Sequence, residues 1–431
     1  MVKLKQLLSN KIFQNAGWLV IGKVIQMVIS LVVGILTARY LGPKGYGLIS
    51  YASAYITFFS VFCTLGINSV LVKELVDHPK QEGMVLGTAL GLRGISSLLS
   101  AIVMIGISMI LDANDPLAQV VVALCSIGVL FNIFDVFNYW FQSKLESKKT
   151  AIAALVAYSV TAAYKIFLLA TGKSVQWFAL ATSVDYICIA IILFWYYRRE
   201  NGDKLAFSWR YGKQLLGNSC HFIFPGLMVA IYAQTDKIML KHMLNEEEVG
   251  FYATATALCS MWTFILSAII DSLTPVIMQS YKNDKEKYER YNKLLYCIVF
   301  YLSAFVSLAF IVGGNLAITI LYGEAYLPAV APLMVVTWYT AFSFLGSARN
   351  AWIVCEKKQK CLKYIYVLAA VVNVVLNLLL IPIWGTIGAA VASLISQVIT
   401  VMVVPFFIKD IRKNSIMMLE AICFKGVLDK M

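Results

Sequence analysis

Long apolar segments alternate with short polar ones along the whole chain. Each apolar segment is long enough to cross the hydrocarbon core of a bilayer, which takes about 20 apolar residues in a helix. The pattern therefore predicts an all-α polytopic membrane protein with about 12 transmembrane helices. The predicted spans are residues 16–38, 46–69, 85–111, 117–141, 150–171, 174–197, 214–240, 250–280, 294–321, 328–354, 361–381 and 385–408.

The composition supports a lipid environment. Of the 431 residues, 60% are apolar and only 14% are charged, whereas soluble domains are about 25% charged. The mean hydropathy is +0.77. An ordinary cytosolic protein and a disordered chain are therefore excluded. The nine cysteines include no Cys-x-x-Cys pair, so neither a metal site nor a redox centre is predicted.

Lysine and arginine are distributed unevenly between the two sides of the predicted membrane. With the N-terminus inside, the inner segments hold 27 of the 36 Lys and Arg residues, and the outer loops hold four. Because positively charged loops stay on the cytoplasmic side, both termini are predicted to be cytoplasmic. Membrane orientation then explains the net charge of +13, and no nucleic-acid partner is expected.

A basic loop divides the chain into two lobes of six spans each. The N-terminal lobe covers residues 16–197, the cytoplasmic linker 198–213 and the C-terminal lobe 214–408. Six crossings return the chain to the same side, so the lobes are expected to be related by a parallel pseudo-two-fold axis along the membrane normal. Residues 1–15 have the pattern of an interfacial amphipathic helix, and residues 409–431 form a cytoplasmic tail.

Two turn motifs occupy corresponding places in the two lobes. Leu41-Gly-Pro-Lys-Gly-Tyr-Gly47 follows the first span, and Leu244-Asn-Glu-Glu-Glu-Val-Gly250 follows the seventh. At an offset of 203 residues their leucine and final glycine coincide, and each leads into a helix with small residues on one face. This match favours an internal repeat, although two helix starts rich in small residues can also look alike by chance.

The first motif, with Asp236-Lys-Ile-Met-Leu and Val249-Gly-Phe-Tyr, resembles those of polysaccharide-type flippases. These proteins handle O-antigen or capsule repeat units and belong to the multidrug/oligosaccharidyl-lipid/polysaccharide exporter superfamily. The resemblance covers the chain in length, span count and orientation. It implies a V-shaped, two-lobed bundle in the bacterial plasma membrane. Such a bundle moves undecaprenyl-pyrophosphate-linked oligosaccharide to the outer leaflet by alternating access, for lipopolysaccharide O-antigen, capsule or exopolysaccharide synthesis.

The same resemblance implies the partners of the protein. They are the polyprenyl-pyrophosphate-linked oligosaccharide, membrane lipid, and a polysaccharide polymerase with other assembly proteins. The chain carries no Walker motif, which argues against an ATP-driven pump. No cofactor is expected, and a proton or sodium gradient is the candidate driving force.

Basic groups inside the predicted spans are candidates for binding a pyrophosphate. Charged residues at membrane depth usually mark a cavity or an ion pair, and arginine and lysine suit phosphate oxygens. Ion pairs between Arg93 and Asp135 and between Arg349 and Asp271 are the structural alternative. For His221, the alternative is a histidine buried in the core with a purely structural role. The substrate-binding candidates are Lys23, Arg93, Arg349 and His221.

Acidic groups inside the spans are candidates for coupling transport to an ion gradient, and prolines inside the spans are candidates for bending the helices. Asp135, Asp271, Asp236 and Lys237 are the candidates for coupling or gating, and a salt bridge at the outer interface is the alternative for the last two. Proline removes a backbone hydrogen bond and permits bending. Pro225 and Pro275 are therefore hinge candidates, with a static kink as the alternative.

Other functions fit the sequence less well. A cation-coupled multidrug or metabolite exporter of the same superfamily would need an acidic cavity, whereas the first lobe carries more basic than acidic groups within its spans. A membrane enzyme would need catalytic side chains on a sizeable external loop, and every outer loop is short. The sequence therefore predicts a transporter rather than an enzyme.

Overall fold

The computed structural model describes residues 11–425 of the chain, with side chains from residue 22 onward. Every regular element in this range is helical. Residues 1–10, which hold most of the predicted interfacial helix, lie outside the described residues, as do residues 426–431 at the end of the predicted tail. The all-α polytopic class predicted from the sequence is confirmed.

Fifteen α-helices are described, and short 3-10 or π-helical turns connect some of them. The 3-10 turns are Asn132–Asp135 and Glu324–Ala329, and the π-helical turn is Ile399–Val403. The α-helices are α1 (Lys11–Thr64), α2 (Asn68–Asp77), α3 (Glu82–Leu111), α4 (Pro116–Phe131), α5 (Val136–Ser143), α6 (Ser147–Ala170), α7 (Val175–Arg199), α8 (Trp209–Met243), α9 (Glu246–Ser260), α10 (Thr263–Asn283), α11 (Lys285–Leu321), α12 (Val330–Cys355), α13 (Lys360–Val398), α14 (Val404–Phe407) and α15 (Arg412–Ile422).

Two of these helices bend at a glycine and each contains two predicted spans. In α1 the backbone leaves the helical region at Gly42 (φ 67°, ψ 176°), and in α13 it does so at Gly385 (φ 57°, ψ −132°). Both conformations favour glycine because a Cβ is disfavoured there. In α13 the chain reverses its direction at this bend. The close approach of the two segments shows this, because a Cβ on Gly388 would lie 2.2 Å from the carbonyl oxygen of Leu380. The bend in α1 therefore separates two membrane-length segments. The bend in α13 does the same, because its second segment continues through the π-helical turn and α14 to Phe407.

The described residues contain ten helices that are long and apolar enough to cross a membrane. Two of them are the bent helices with two predicted spans each, which accounts for the twelve predicted segments. The predicted span 250–280 differs from the structure, because α9 ends at Ser260 and α10 begins at Thr263. The hydroxyls of Ser260 and Thr263 donate to the carbonyls of Ala257 and Ser260. Such bonds compete with the helical ladder and favour a break.

The chain forms two compact units. Unit 1 contains the chain up to Leu41 and Leu48–Ala230, and unit 2 contains Gly42–Gly47 and the chain from Ile231 onward. The core of unit 1 is rich in aromatic rings, among them Phe137, Trp140 and Tyr197. The core of unit 2 is built mainly from α11, α12 and α15, around residues such as Tyr296.

The basic linker of unit 1 is held against α3. The backbone N–H of Ala206 donates to the carbonyl of Gly83 over 3.1 Å, and the N–H of Ser208 donates to Oγ1 of Thr88 over 3.1 Å. A Cβ on Gly87 would lie 2.5 Å from the carbonyl oxygen of Ala206, so only glycine permits this close approach. The linker thereby fixes the start of α8 relative to α3.

Large apolar side chains are widely exposed on the helices. Val312 is 88% exposed, Phe407 80% and Ile110 77%. Soluble monomers rarely expose apolar patches of large size, whereas the lipid-facing surface of a membrane helix is apolar by necessity. These side chains are consistent with contact to acyl chains.

Candidate functional site

The most extensively hydrogen-bonded ionisable group of the predicted set is Asp236, on α8 in unit 2. Its side chain is 3% exposed. Tyr252 Oη and Ser393 Oγ each donate to Oδ2 over 2.5 Å. The Nδ2 groups of Asn377 and Asn373 donate to Oδ1 over 2.7 and 3.3 Å. Four neutral donors therefore surround one buried carboxyl group, and we call these five residues the Asp236 cluster.

The local folding of α13 explains how the cluster assembles. Asn373 and Asn377 are one helical turn apart and thus lie on the same face. The reversal at Gly385 returns the chain so that Ser393 also reaches the cluster, where Asn373 Nδ2 donates to its Oγ over 3.2 Å. Tyr252 comes from α9. With Asp236 on α8, three helices therefore contribute to the Asp236 cluster.

The composition of the cluster suits exchange of a proton or a small cation. Neutral donors satisfy a carboxylate without a fixed counter-charge, so the net charge of the cluster changes when a proton or cation binds. The buried Oδ1 atom of Asn377 has no hydrogen-bond partner. Rotation of the amide groups would direct oxygens towards the carboxyl group. No group of three or more His, Cys, Asp or Glu residues with metal-site geometry occurs among the described residues.

Arg93 on α3 is fully buried in unit 1. Its Nη1 donates to Oδ1 of Asn68 over 3.1 Å, and its Nη2 donates to the backbone carbonyl and Oδ1 of Asn132 over 2.8 and 2.9 Å. Its Nε has no partner. Within the described chain, Arg93 and Asp135 form no ion pair at 4.0 Å or less. Asp135 instead accepts a 3.3 Å hydrogen bond from Asn138. The direct ion pair between Arg93 and Asp135, which was the structural alternative, is therefore not formed.

Arg349 on α12 is 3% exposed in unit 2. Its Nη1 donates to the backbone carbonyl of Val401 over 3.3 Å, and its Nε has no partner. The side chain borders a polar cavity of about 80 Å³. Asp271 on α10 is exposed and forms no ion pair with Arg349 in the part of the chain that the structure describes. This second alternative ion pair is therefore not formed either.

The other predicted residues lie on α1, α8 and α10. Lys23 and His221 are exposed, and Lys237 is half-buried next to Asp236. Pro225 and Pro275 lie within helices that continue on both sides. The roles predicted for all these residues stay predictions.

Sequence reasoning did not identify several polar residues that form hydrogen bonds to the buried charged groups of the two units. The partners of Asp236 and Arg93 are amides and hydroxyls, which carry no charge and draw little attention in an apolar segment. The pair Asn373 and Asn377 in the predicted span 361–381 was the available signal, since two amides one turn apart are costly in a lipid-facing position. Asp112 was also missed, and it accepts hydrogen bonds of 2.9 Å from Tyr51 and Ser108.

These features define a multi-pass helical membrane protein. The fold consists of membrane-length helices, and each unit buries charged groups that no ion pair neutralises. A profile of the family described as "Polysaccharide biosynthesis protein" matches residues 12–281, which is more than half of the chain. The protein therefore belongs to this family. The resemblance inferred from the sequence motifs is confirmed.

Individual relatives agree in length and fold. The chain is 19% identical over 408 residues to the capsular polysaccharide biosynthesis protein CapF of Staphylococcus aureus, covering 92% of this chain and 99% of the relative. The fold is similar to the lipid II flippase MurJ in an inward closed conformation, at 15% identity, with a TM-score of 0.69 over 96% of this chain and 93% of that one. An inward-facing MATE family transporter gives 15% identity and a TM-score of 0.68, over 91% and 95%.

Proposed function

We propose that the protein flips polyprenyl-pyrophosphate-linked oligosaccharides from the cytoplasmic to the outer leaflet of a bacterial plasma membrane. The observation that carries this proposal is the family match over residues 12–281. The printed name of the Staphylococcus aureus relative connects that protein with capsular polysaccharide. In the proposed cycle, two six-helix lobes related by a parallel pseudo-two-fold axis alternate access, and both termini stay cytoplasmic.

Exposed basic side chains on spanning helices support an anionic substrate. Lys23 on α1 and His221 on α8 are exposed. A charged side chain facing lipid near the middle of a helix costs about 2.5–3.5 kcal/mol, so such groups favour a water-filled path. Lysine and protonated histidine attract pyrophosphate oxygens along this path. We assign Lys23 and His221 to substrate contact.

The Asp236 cluster is the proposed coupling site. A buried carboxyl group surrounded by neutral donors can bind a proton, or a sodium ion through its oxygens, and either event changes the charge in the core of unit 2. Because burial makes an uncompensated charge unfavourable, binding and release there are suited to drive a conformational change. The gradient of that ion would supply the energy for transport.

The decisive test uses purified protein in liposomes. A labelled undecaprenyl-pyrophosphate oligosaccharide is placed in both leaflets, and an impermeant reagent reports its arrival on one side. We expect the protein to accelerate movement over empty liposomes, Lys23→Ala to slow it, and Lys173→Ala to leave it unchanged, because Lys173 lies in the connection between α6 and α7. A rate equal to that of empty liposomes would contradict the proposal.

The fold shared with MATE transporters supports a second candidate. A cation-coupled exporter of drugs or metabolites would use an acidic group such as Asp236 for organic cations. In the same liposomes it would move an organic cation under a proton or sodium gradient and leave the lipid-linked sugar in place. That outcome would reverse the order of the two candidates.

A further inference from the structure

Unit 2 contains a polar cavity that the proposed transport function does not use. Its volume is about 80 Å³, and it lies between α8, α12, α13 and the π-helical turn. Among the described residues, Arg349 is the only charged group that lines it, and the other polar groups on its wall are neutral. They are Tyr232, Ser343, Ser347, Asn350, Tyr366, Gln397 and Thr400.

The hydrogen bonds of Arg349 are incomplete. A guanidinium group carries five N–H donors and stays protonated in proteins, yet the only hydrogen bond found for it in the described chain is the 3.3 Å contact to the carbonyl of Val401. Its Nε is buried without a partner. No carboxylate lies within 4.0 Å of the group in residues 22–425. A buried charge without a counter-charge is unfavourable, so an anion bound beside Arg349 would stabilise the folded protein.

The wall around Arg349 supplies further donors. The phenol groups of Tyr232 and Tyr366 and the amide of Gln397 border the same space. Thr400 adds no donor, because its hydroxyl proton is already donated to the carbonyl of Ser396 over 2.7 Å. The π-helical turn Ile399–Val403 places Val401 beside the arginine. Such turns are rare and frequently occur at functional sites.

We propose that this cavity binds a small inorganic monovalent anion of the size of chloride, held by Arg349 and the neighbouring phenol and amide groups. The volume exceeds the roughly 10–15 Å³ that one water molecule needs on the same measure, so an ion of this size fits. One guanidinium group suits a single negative charge, whereas a pyrophosphate carries several. This assignment replaces the substrate contact predicted for Arg349, and it gives the guanidinium group its counter-charge inside unit 2.

Thermal unfolding of the purified full-length protein in detergent tests the proposal. Sodium chloride, sodium bromide and sodium gluconate are compared at constant ionic strength, because a ligand that binds only the folded state raises its stability. We expect Tm to be several degrees higher in chloride and bromide than in gluconate, with saturation. Arg349→Gln abolishes this difference, and Tyr366→Phe weakens the apparent anion affinity several-fold. Arg93→Gln is the matched control, because it changes another buried arginine, whose partners are asparagines. This variant should keep the difference in Tm between halide and gluconate.

A direct measurement locates the anion. Crystals grown in bromide should show an anomalous peak within hydrogen-bond distance of Arg349. Equal Tm in halide and gluconate, or a halide effect that persists in Arg349→Gln, would overturn the proposal. If Arg349→Gln does not fold, Tyr366→Phe and Gln397→Leu test the same site, and unchanged halide affinity in both overturns it. None of these measurements involves transport, so their failure is separate from failure of the proposed function.

Discussion

The hydrogen bonds to Asp236 predict a specific energetic coupling between that residue and Ser393. Ser393 Oγ lies 2.5 Å from the carboxyl group, which is 3% exposed. A hydrogen bond to a charged group contributes about 1.5–3 kcal/mol, against about 0.5–1.5 kcal/mol for a neutral one. Ser393→Ala should therefore destabilise the protein by about 1.5–3 kcal/mol if the carboxyl group is ionised. At about 2–4 °C per kcal/mol, Tm should fall by roughly 3–12 °C.

A double-mutant cycle isolates this interaction from other effects of the substitution. In the Asp236→Asn background the charge is absent, so Ser393→Ala should cost only the smaller, neutral amount. The coupling energy should then reach about 1 kcal/mol or more. Thermal unfolding of the four proteins in detergent, followed by tryptophan fluorescence, gives the four stabilities.

Ser396→Ala is the matched control for this cycle. Ser396 is buried on the same helix and donates to the carbonyl of Ala392 over 2.7 Å. It makes no hydrogen bond with Asp236 in the described chain, so its effect should be the same in both backgrounds. If Ser393→Ala were also additive with Asp236→Asn, within about 0.5 kcal/mol, the carboxyl group would not be an ionised acceptor of the serine hydroxyl.

Two further substitutions test the packing and capping of unit 2. A Cβ on Gly250 would lie 2.1 Å from the carbonyl oxygen of Pro43, so Gly250→Ala should destabilise by about 1–3 kcal/mol. A Cβ on Gly217 would meet no atom within 4 Å, so Gly217→Ala is the control and should not lower Tm. Equal losses of Tm in the two variants would contradict the close packing described for Gly250. The pKa of Asp284 is lowered by the backbone N–H of Lys287 and by the Lys287 side chain, so its charge stabilises the fold above the unfolded pKa of about 3.9. The Tm advantage over Asp284→Asn should be present at pH 6 and lost as the pH falls below about 4; a constant advantage would exclude the charge as its source.

Hydrophobic pattern and turn residues were enough to predict the helices. Segments of more than 20 apolar residues leave few alternatives in lipid, where every backbone group must be bonded within the helix. The two glycine bends were also predictable as boundaries, because Gly42-Pro43 and Pro382 with Gly385 interrupt the apolar pattern. The break between α9 and α10 was not predictable from the sequence. It depends on hydroxyl groups that bond to the backbone, and serine or threonine does this only in some helices.

Sequence reasoning selected the buried charges but not their partners. Arg93, Arg349 and Asp236 stand out because a charge is rare inside an apolar segment. Pyrophosphate contact was the expectation for the arginines and coupling for Asp236, with ion pairs as the structural alternative. The partners of Arg93 and Asp236 are instead asparagine, serine and tyrosine. These residues are as common in ordinary packing as in polar clusters. Contacts between distant helices decide which role they have, and no spacing rule encodes those contacts.

The neutral partners of the buried charges have a consequence for the proposed transport function. Breaking a buried ion pair leaves an uncompensated charge and costs several kcal/mol, so a core held by such pairs resists rearrangement. Amides and hydroxyls can both donate and accept, and they can turn to follow a change of charge. In the coupling role proposed for the Asp236 cluster, a proton or a cation would therefore arrive or leave without disrupting a fixed pair. Arg93 shows the converse arrangement, because amide and carbonyl oxygens accept hydrogen bonds from both of its Nη groups. Charges held in this way keep their electrostatic field available inside the protein, which a permanently paired charge does not.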